Sequence, residues 1–543
     1  MRRTPLAFVA LVLIAVVAVA PAAGSPAQSP KRGGTVVFGP VAESSCLNPF
    51  IDCGGGGPQF GWIFERVIPG ALGLARDSTR PPALVLGVTF TRTPPFTLTY
   101  TIRPEARWSD GVPVTARDFR FTHRAINEYL PSDDVHRTYV DSVRSVDAKT
   151  VRVVLRSRYA GWRRLFWFVL PQHALAGEDL ARVWTDGIEN PKTGRSIGSG
   201  PFLVGGWDRG KQLTLVRNPN YWGPHKAYLD RLIIRFCRAV CLAPPPDEVL
   251  ESMRTGAVDF AYARDTEIVP DLRRIRGTIV RPYRSNGWEH LDFRLASGGH
   301  PALQGSKGKL VRQAFAYSID RAEIVRRLWG EIDPTYRPLH SAVLFNTDRH
   351  YAPNWDGYVY RPNLARSLLE RAGCRRGADG IYACGAGRLS FRLTTLPTRA
   401  RERAVELMQL QLRRVGIEVG LSYNRGLFEQ ASRGDFDVVS FAWIGVDGFG
   451  HKHVYGCRGS ANYTGYCQRI VTAELDQADR ILDDAQRARV LNRADRQLAK
   501  DVPVIPLYQI PWVLAYKSTL RNVLPSSDNL FWNAEDWWLA QSR

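Results

Sequence analysis

Between Leu98 and Ile126 the hydrophobic period of the chain changes, and the change commits this region to a strand followed at once by a helix. Leu98, Tyr100 and Ile102 alternate with Thr and Arg, a spacing of two that puts the apolar side chains on one face of a strand. Asp110 and Gly111 supply turn chemistry, since Gly tolerates positive φ and Asp can bond to its own backbone, and Pro113 keeps the chain extended. Thr115 with Asp118 three residues on is a capping-box arrangement, which satisfies free amide donors and sets a carboxylate near the positive helix end. Phe119, Thr122, His123 and Ile126 then recur at helical spacing, so this face is expected to pack on the strands. The fragment is α/β in character and contains nothing catalytic.

The same kind of alternation runs through the rest of the chain. Val151, Val153 and Leu155 predict a strand, preceded by Val143 to Val146 across a turn at Asp147 to Lys149, so residues 81–194 read as a small α/β domain. Leu310, Val311, Ala314 and Phe315 predict a helix over residues 310–329, and Val405, Met408 and Leu412 another over 401–415. Short strands are expected at Ile417 to Leu421 and Phe436 to Phe441, an alternation typical of an α/β lobe. A length of 543 residues suits two or three domains, and 15 Trp among 11% aromatic residues supply material for cores and for an aromatic-lined cleft. The glycine run Gly54 to Gly57 lacks a following Lys and Ser or Thr, so it reads as a loop and not a phosphate cradle.

The net charge of +21 would suit an anionic partner, but the arginines are scattered through every segment and form no long basic block. The reading is a solvated cationic surface without nucleic acid. Arg2 and Arg3, an apolar run from Leu6 to Ala20 and small residues from Ala20 to Gly24 read as a signal peptide over residues 1–24. That run is short of the ~20 apolar residues a membrane span needs. Cysteines fall into local pairs, Cys46 with Cys53, Cys237 with Cys241, Cys374 with Cys384 and Cys457 with Cys467, which in an exported chain reads as disulfides. The competing reading is a metal site at His451, His453, Cys457 and Cys467, whose spacing matches no strong zinc template. No serine is read as a nucleophile elbow, no HExxH occurs, and no Ser, His and Asp constellation is recognised, so an enzyme is not expected.

WSDGVPVTARDFRFTHRAI at residues 108–126 is accompanied, in order, by GGTVVFG at 33–39, LNPF at 47–50, FVLPQHAL at 168–175, IGSGPFLVGGW at 197–207, RNPNYWGPHKAYLDRLIIRF at 217–236, MRTGAVDFA at 253–261, LVRQAFAYSIDRAEIV at 310–325 and LARSLLERAG at 364–373, with LQLRRVGIEV and GDFDVVSFAW later. This series resembles the extracytoplasmic solute-binding proteins of the peptide/nickel ABC-importer class. The resemblance implies an α/β fold of two lobes closing like a hinged clamp, with an additional small domain. Lobe I would comprise residues 31–80, 195–285 and 503–543, the inserted domain 81–194, and lobe II 286–502. It implies capture of a small solute, a short peptide first, for a permease and ATPase partner, by a monomer peripheral to the membrane and without a cofactor. An oligosaccharide, another cationic solute, a nickel complex or a sensory role are the alternatives.

Peptide-binding relatives place an aspartate shortly after the tryptophan of the late strand, where it pairs with the ligand's ammonium group. Here these are Trp443 and Asp447; Asp447 lies one residue later than the usual spacing, and Gly448, Phe449 and Gly450 replace the usual Tyr and Pro. Trp288, near the implied lobe crossover, is a second ligand candidate through stacking. Many relatives carry a lipid-modified cysteine directly after the signal peptide, whereas the first cysteine here is Cys46, which implies free export to a periplasm or the exterior. Thiol titration of denatured, unreduced protein is expected to find almost no free cysteine, and finding most of them free would defeat the pairing.

Overall fold

In the computed structural model the described residues are 29–51, 53, 57–74, 81–130, 134–239, 241, 243–385, 387–444, 451–524, 526 and 528–541. The expected signal peptide and Asp447 lie outside them. The strands of the two larger sheets are, in chain order, β1 (Thr35–Val41), β2 (Val85–Phe90), β3 (Phe96–Ile102), β4 (Val140–Ser145), β5 (Thr150–Leu155), β6 (Phe202–Asp208) and β7 (Gln212–Arg217). They continue with β8 (Arg231–Phe236), β9 (Phe260–Ala263), β10 (Thr278–Phe293), β11 (Ser390–Thr395), β12 (Glu418–Tyr423), β13 (Val438–Ile444) and β14 (Val504–Lys517). A 10-stranded sheet has the order β12-β11-β13-β10-β14-β9-β1-β8-β7-β6, and a 4-stranded sheet the order β2-β3-β5-β4.

Two long strands, β10 and β14, run antiparallel through the middle of the larger sheet. The apolar core divides along them. Tyr508 and Trp288 belong to one cluster, with Phe293, Phe315, Met408 and Leu498. Ile510 and Trp512 belong to another, with Phe38, Trp62 and Leu232. The molecule is therefore a mixed α/β protein of two lobes whose sheets are one sheet. The small sheet has no core of its own: Leu98, Tyr100 and Phe119 belong to the same cluster as Phe38 and Trp62, so the inserted region is welded to the first lobe by continuous apolar packing.

Local rules account for the elements. Leu98, Tyr100 and Ile102 are buried on β3, Asp110 Oδ1 accepts the Val112 N–H at 3.2 Å, and Gly111 has φ +91°, a conformation costly for any residue with a Cβ. Thr115 caps the helix Ala116–Tyr129 in a complete capping box with Asp118, whose other oxygen accepts the Gln172 N–H at 2.8 Å. The helical stripe differs from expectation at His123. Its Nδ1 lies 3.0 Å from Nδ1 of His136, and burial pushes both imidazoles down to about 4, so the pair is neutral and packs as a polar contact in place of an apolar one.

The helix expected over residues 310–329 is two helices, Gly305–Ser318 and Arg321–Trp329. Asp320 breaks them by capping the second, its side chain accepting the Glu323 N–H at 2.8 Å. Arg321 then points inward, 4% exposed, and donates to the carbonyls of Leu339 (2.9 Å), Pro506 (2.8 Å), Trp355 (3.0 Å) and Tyr358 (3.0 Å). These contacts tie the long connection after Trp329 to β14. Disulfides join Cys46 to Cys53, Cys237 to Cys241, Cys374 to Cys384 and Cys457 to Cys467. Among the described residues no helix is long and apolar enough to cross a membrane. Substituting Arg321→Met should lower the unfolding free energy, read by urea denaturation, by roughly 3 kcal/mol or more, because buried carbonyls lose charged donors and regain no water; a loss under ~1 kcal/mol would remove the residue from that role.

Candidate ligand cleft

The lobe crossover is a break in the register of the two central strands. β10 and β14 pair from Thr278 to Arg284 and again from Trp288 to Asp292, with a register shift between Arg284 and Trp288. Side chains satisfy the backbone left over: Ser285 Oγ donates to the Ile510 carbonyl at 2.8 Å and Gln509 Nε2 to the Ser285 carbonyl at 2.6 Å. The Gly287 N–H donates to Ser285 Oγ at 3.2 Å, and Tyr336 Oη to the Gln509 carbonyl at 2.8 Å. The irregular stretch is thus held in one arrangement.

On the first-lobe side an aromatic cluster stands at this break. Trp512 packs on Trp62, Tyr262 and Tyr283 with ring centroids 5.5, 5.3 and 5.7 Å away, and the Arg264 guanidinium lies 5.7 Å from the Trp512 ring centroid. Asp528 accepts Asn286 Nδ2 on Oδ1 at 2.7 Å, while its carbonyl accepts Trp62 Nε1 at 3.1 Å. On the second-lobe side Trp288 and Trp443 are direct cross-strand partners. Trp288 is 3% exposed within the lobe core, its ring 4.4 Å from His290. Trp443 is half-buried, nearly parallel to Tyr463 at 5.8 Å and to His290 at 6.2 Å. Both neighbours run along its faces, so the indole is oriented by stacking and offers an edge.

Several polar atoms here are buried with no hydrogen-bond partner among the described residues: Tyr283 Oη, Arg264 Nε, Asp528 Oδ2, Gln509 Oε1 and Trp443 Nε1. Each such group costs about 1 to 3 kcal/mol when left unpaired, so their convergence from both lobes on one place marks it as suited to a polar guest. Burial, with Tyr262 beside it, holds the Tyr283 hydroxyl protonated against the opposing pull of Arg264, making it a neutral donor. Glu289 is directed elsewhere: it is 2% exposed and accepts Arg401 Nε at 2.9 Å on the other face of the sheet. The lobes also touch at the margins, where the Ala160 N–H donates to the Asp479 carbonyl at 2.7 Å and Thr266 Oγ1 to the Leu328 carbonyl at 3.0 Å.

The structure therefore brings Trp288 and Trp443 together and adds Arg264, Tyr283, Trp512 and Asp528, which carry no motif and were not singled out from sequence. β13 ends at Ile444, paired with Gly287 at the crossover, and Asp447 follows outside the described residues. Of the alternative metal set, Cys457 and Cys467 are bonded to each other, and His451 is buried with its imidazole pushed down to about 4 by burial. Among the described residues no group of three or more His, Cys, Asp and Glu could hold a metal ion. One spacing was missed in the sequence: Gly194, Ser196 and Gly198 do spell G-x-S-x-G. Ser196 lies in a two-residue strand of a short hairpin and donates to the Ile188 carbonyl at 3.3 Å, so the strand-to-helix turn of a nucleophile elbow is not formed.

The model of the bacterial extracellular solute-binding proteins, family 5, middle region, matches residues 82–465. Oligopeptide-binding protein OppA of Mycobacterium tuberculosis is 26% identical over 452 residues, spanning 80% of this chain and 73% of that one. Among solved structures, the periplasmic EDTA-binding protein EppA superposes with a TM-score of 0.84 at 22% identity, covering 95% of this chain and 98% of its own. The oligopeptide-binding protein AppA of Bacillus subtilis, in complex with a nonapeptide, gives 0.77 at 20% identity, covering 94% and 100%. Ser285→Ala should cost about 1 to 2 kcal/mol in urea denaturation through its lost bonds; a loss under about 0.5 kcal/mol would remove Ser285 from that role.

Proposed function

This chain belongs to the bacterial extracellular solute-binding proteins of family 5, and on that premise we propose that it is the exported binding component of an ABC importer, closing its lobes over a short peptide and presenting it to a permease and ATPase. The observation that carries this reading is the convergence of unpaired donors and acceptors from both lobes on the crossover. A peptide has the matching chemistry throughout its length, with amide donors, carbonyl acceptors and oppositely charged ends. Closure is then driven by contacts available only in the shut form. No bond is made or broken.

In this reading Asp447 pairs with the ligand's ammonium group, Trp443 presents its indole N–H, and Trp288 backs Trp443 from the neighbouring strand. Residues 1–24 direct export, and the protein works outside the cytoplasmic membrane without a lipid-modified cysteine. The names of related proteins that bind oligopeptides support a peptide over an oligosaccharide, another cationic solute or a nickel complex.

Native mass spectrometry of protein purified from its own cells should show retained masses of short peptides, and a peptide mixture should raise the melting temperature. Absence of both a retained peptide and a thermal shift would count against peptide transport, and a retained non-peptide mass would name the other ligand class. Asp447→Asn should weaken peptides with a free amino end by more than ~1 kcal/mol. Unchanged affinity in titration calorimetry would remove Asp447 from the site.

A further inference from the structure

The helix Arg399–Val415 of the second lobe begins against the usual electrostatic rule. A helix N-terminus is positive and favours carboxylates, yet the opening turns here carry Arg399, Arg401 and Arg403, with Glu402 as the acid of the first turn, and Thr398 makes no side-chain cap. Arg401 is answered within its own lobe, by buried Glu289 at 2.9 Å. The other two are answered from the first lobe. Arg399 lies 3.7 Å from Asp247 and 3.7 Å from Glu267, and Arg403 pairs with Glu267 as well.

The first-lobe acids are held in place by their own elements. Asp247 stands in the first turn of the helix Pro246–Arg254, where a carboxylate is favoured. Asp265 and Glu267 follow Arg264 just beyond the end of β9, and Asp265 Oδ1 accepts the Glu267 N–H at 3.2 Å. Burial raises the Asp265 carboxyl against the pull of Arg399 and Arg403, so this third acid also feels the two arginines. Between the acids, Thr266 brings the loop onto the second lobe through its bond to the Leu328 carbonyl. The Arg399 and Arg403 side chains are 56% and 57% exposed, so each pair is weak by itself and screened by salt. Because the pairs span the lobes, their contribution goes to the balance between shut and parted arrangements and not to the folding of either lobe. We propose that Arg399 and Arg403, with Asp247, Asp265 and Glu267, form an interlobe ion latch that favours the shut clamp for any solute and weakens as ionic strength rises. These are positioning residues, which act on capture without touching the ligand. The inference rests on the two-lobed fold and not on the peptide reading.

The test places spin labels on Arg273→Cys in the first lobe and Leu410→Cys in the second, both exposed positions, and reads the lobe separation of the intact chain by pulsed dipolar spectroscopy. The native cysteines are bonded and take no label. The ratio of parted to shut molecules should rise about three- to tenfold between ~0.1 M and ~1 M sodium chloride, as the Debye length falls from ~10 Å to ~3 Å. Arg399→Gln with Arg403→Gln should show the higher ratio already at ~0.1 M and respond little to salt. Removing cations from the positive end of a helix does not weaken it, so the melting temperature should hold or rise, which separates loss of the latch from loss of structure. Asp247→Asn with Glu267→Gln should give the same shift, and the four changes together no more than either pair, because both pairs remove one interaction. A parent distribution unmoved by salt, a salt response that survives in the arginine variant, or additive effects of the two pairs overturns the latch.

Discussion

The antiparallel pairing of β10 with β14 is what the remainder of the structure is arranged around. Because both strands pass from one apolar core to the other, each lobe borrows its central strands from the same pair, and neither could complete its sheet alone. The register shift between Arg284 and Trp288 is where strict pairing relaxes. There side-chain hydrogen bonds from Ser285, Gln509 and Tyr336 stand in for strand-to-strand pairing, so the lobes are joined by fewer ladder bonds at this place. A bend confined to such a place moves whole lobes while leaving their cores intact, since packed interiors resist gradual deformation and joints absorb it.

The treatment of polar groups differs between the scaffold and the cleft. In the scaffold, Arg321 is surrounded by carbonyls, and Glu289 is paired with Arg401 in the interior. At the crossover, Tyr283, Arg264 and Asp528 each keep a buried atom without a partner. The first arrangement stabilises one shape. The second leaves hydrogen-bonding capacity unmet among the described residues, which a group of suitable polarity can satisfy. The histidine pair His123 and His136, held neutral by burial, belongs with the scaffold.

How much of this could be read from sequence follows from the range of the interactions. The strand, turn and capped helix from Phe96 to Tyr129 are set by neighbours a few residues apart, and their residue types spell them out. The helix break at Asp320 was also locally encoded, by an acid three residues before the Glu323 amide it caps, but the apolar spacing on either side concealed it. The pairing of β9 with β14, Phe260 against Tyr516, has no local signature; only the family resemblance implied a lobe built from distant segments. Trp288 and Trp443 were recognisable one at a time, and their position as cross-strand neighbours emerges from the sheet register. Arg264, Tyr283, Trp512 and Asp528 were invisible as a group because their common property is convergence, which no linear pattern records.

The cystine bridges close loops with sequence separations of only 4, 7 and 10 residues, and none joins one lobe to the other. Each partner thiol is therefore the nearest one along the polypeptide, so correct oxidation needs no prior assembly of the large sheet and can proceed segment by segment from the amino end. No disulfide ties one lobe to the other, so a reductant would loosen short local loops without altering the connections between the lobes.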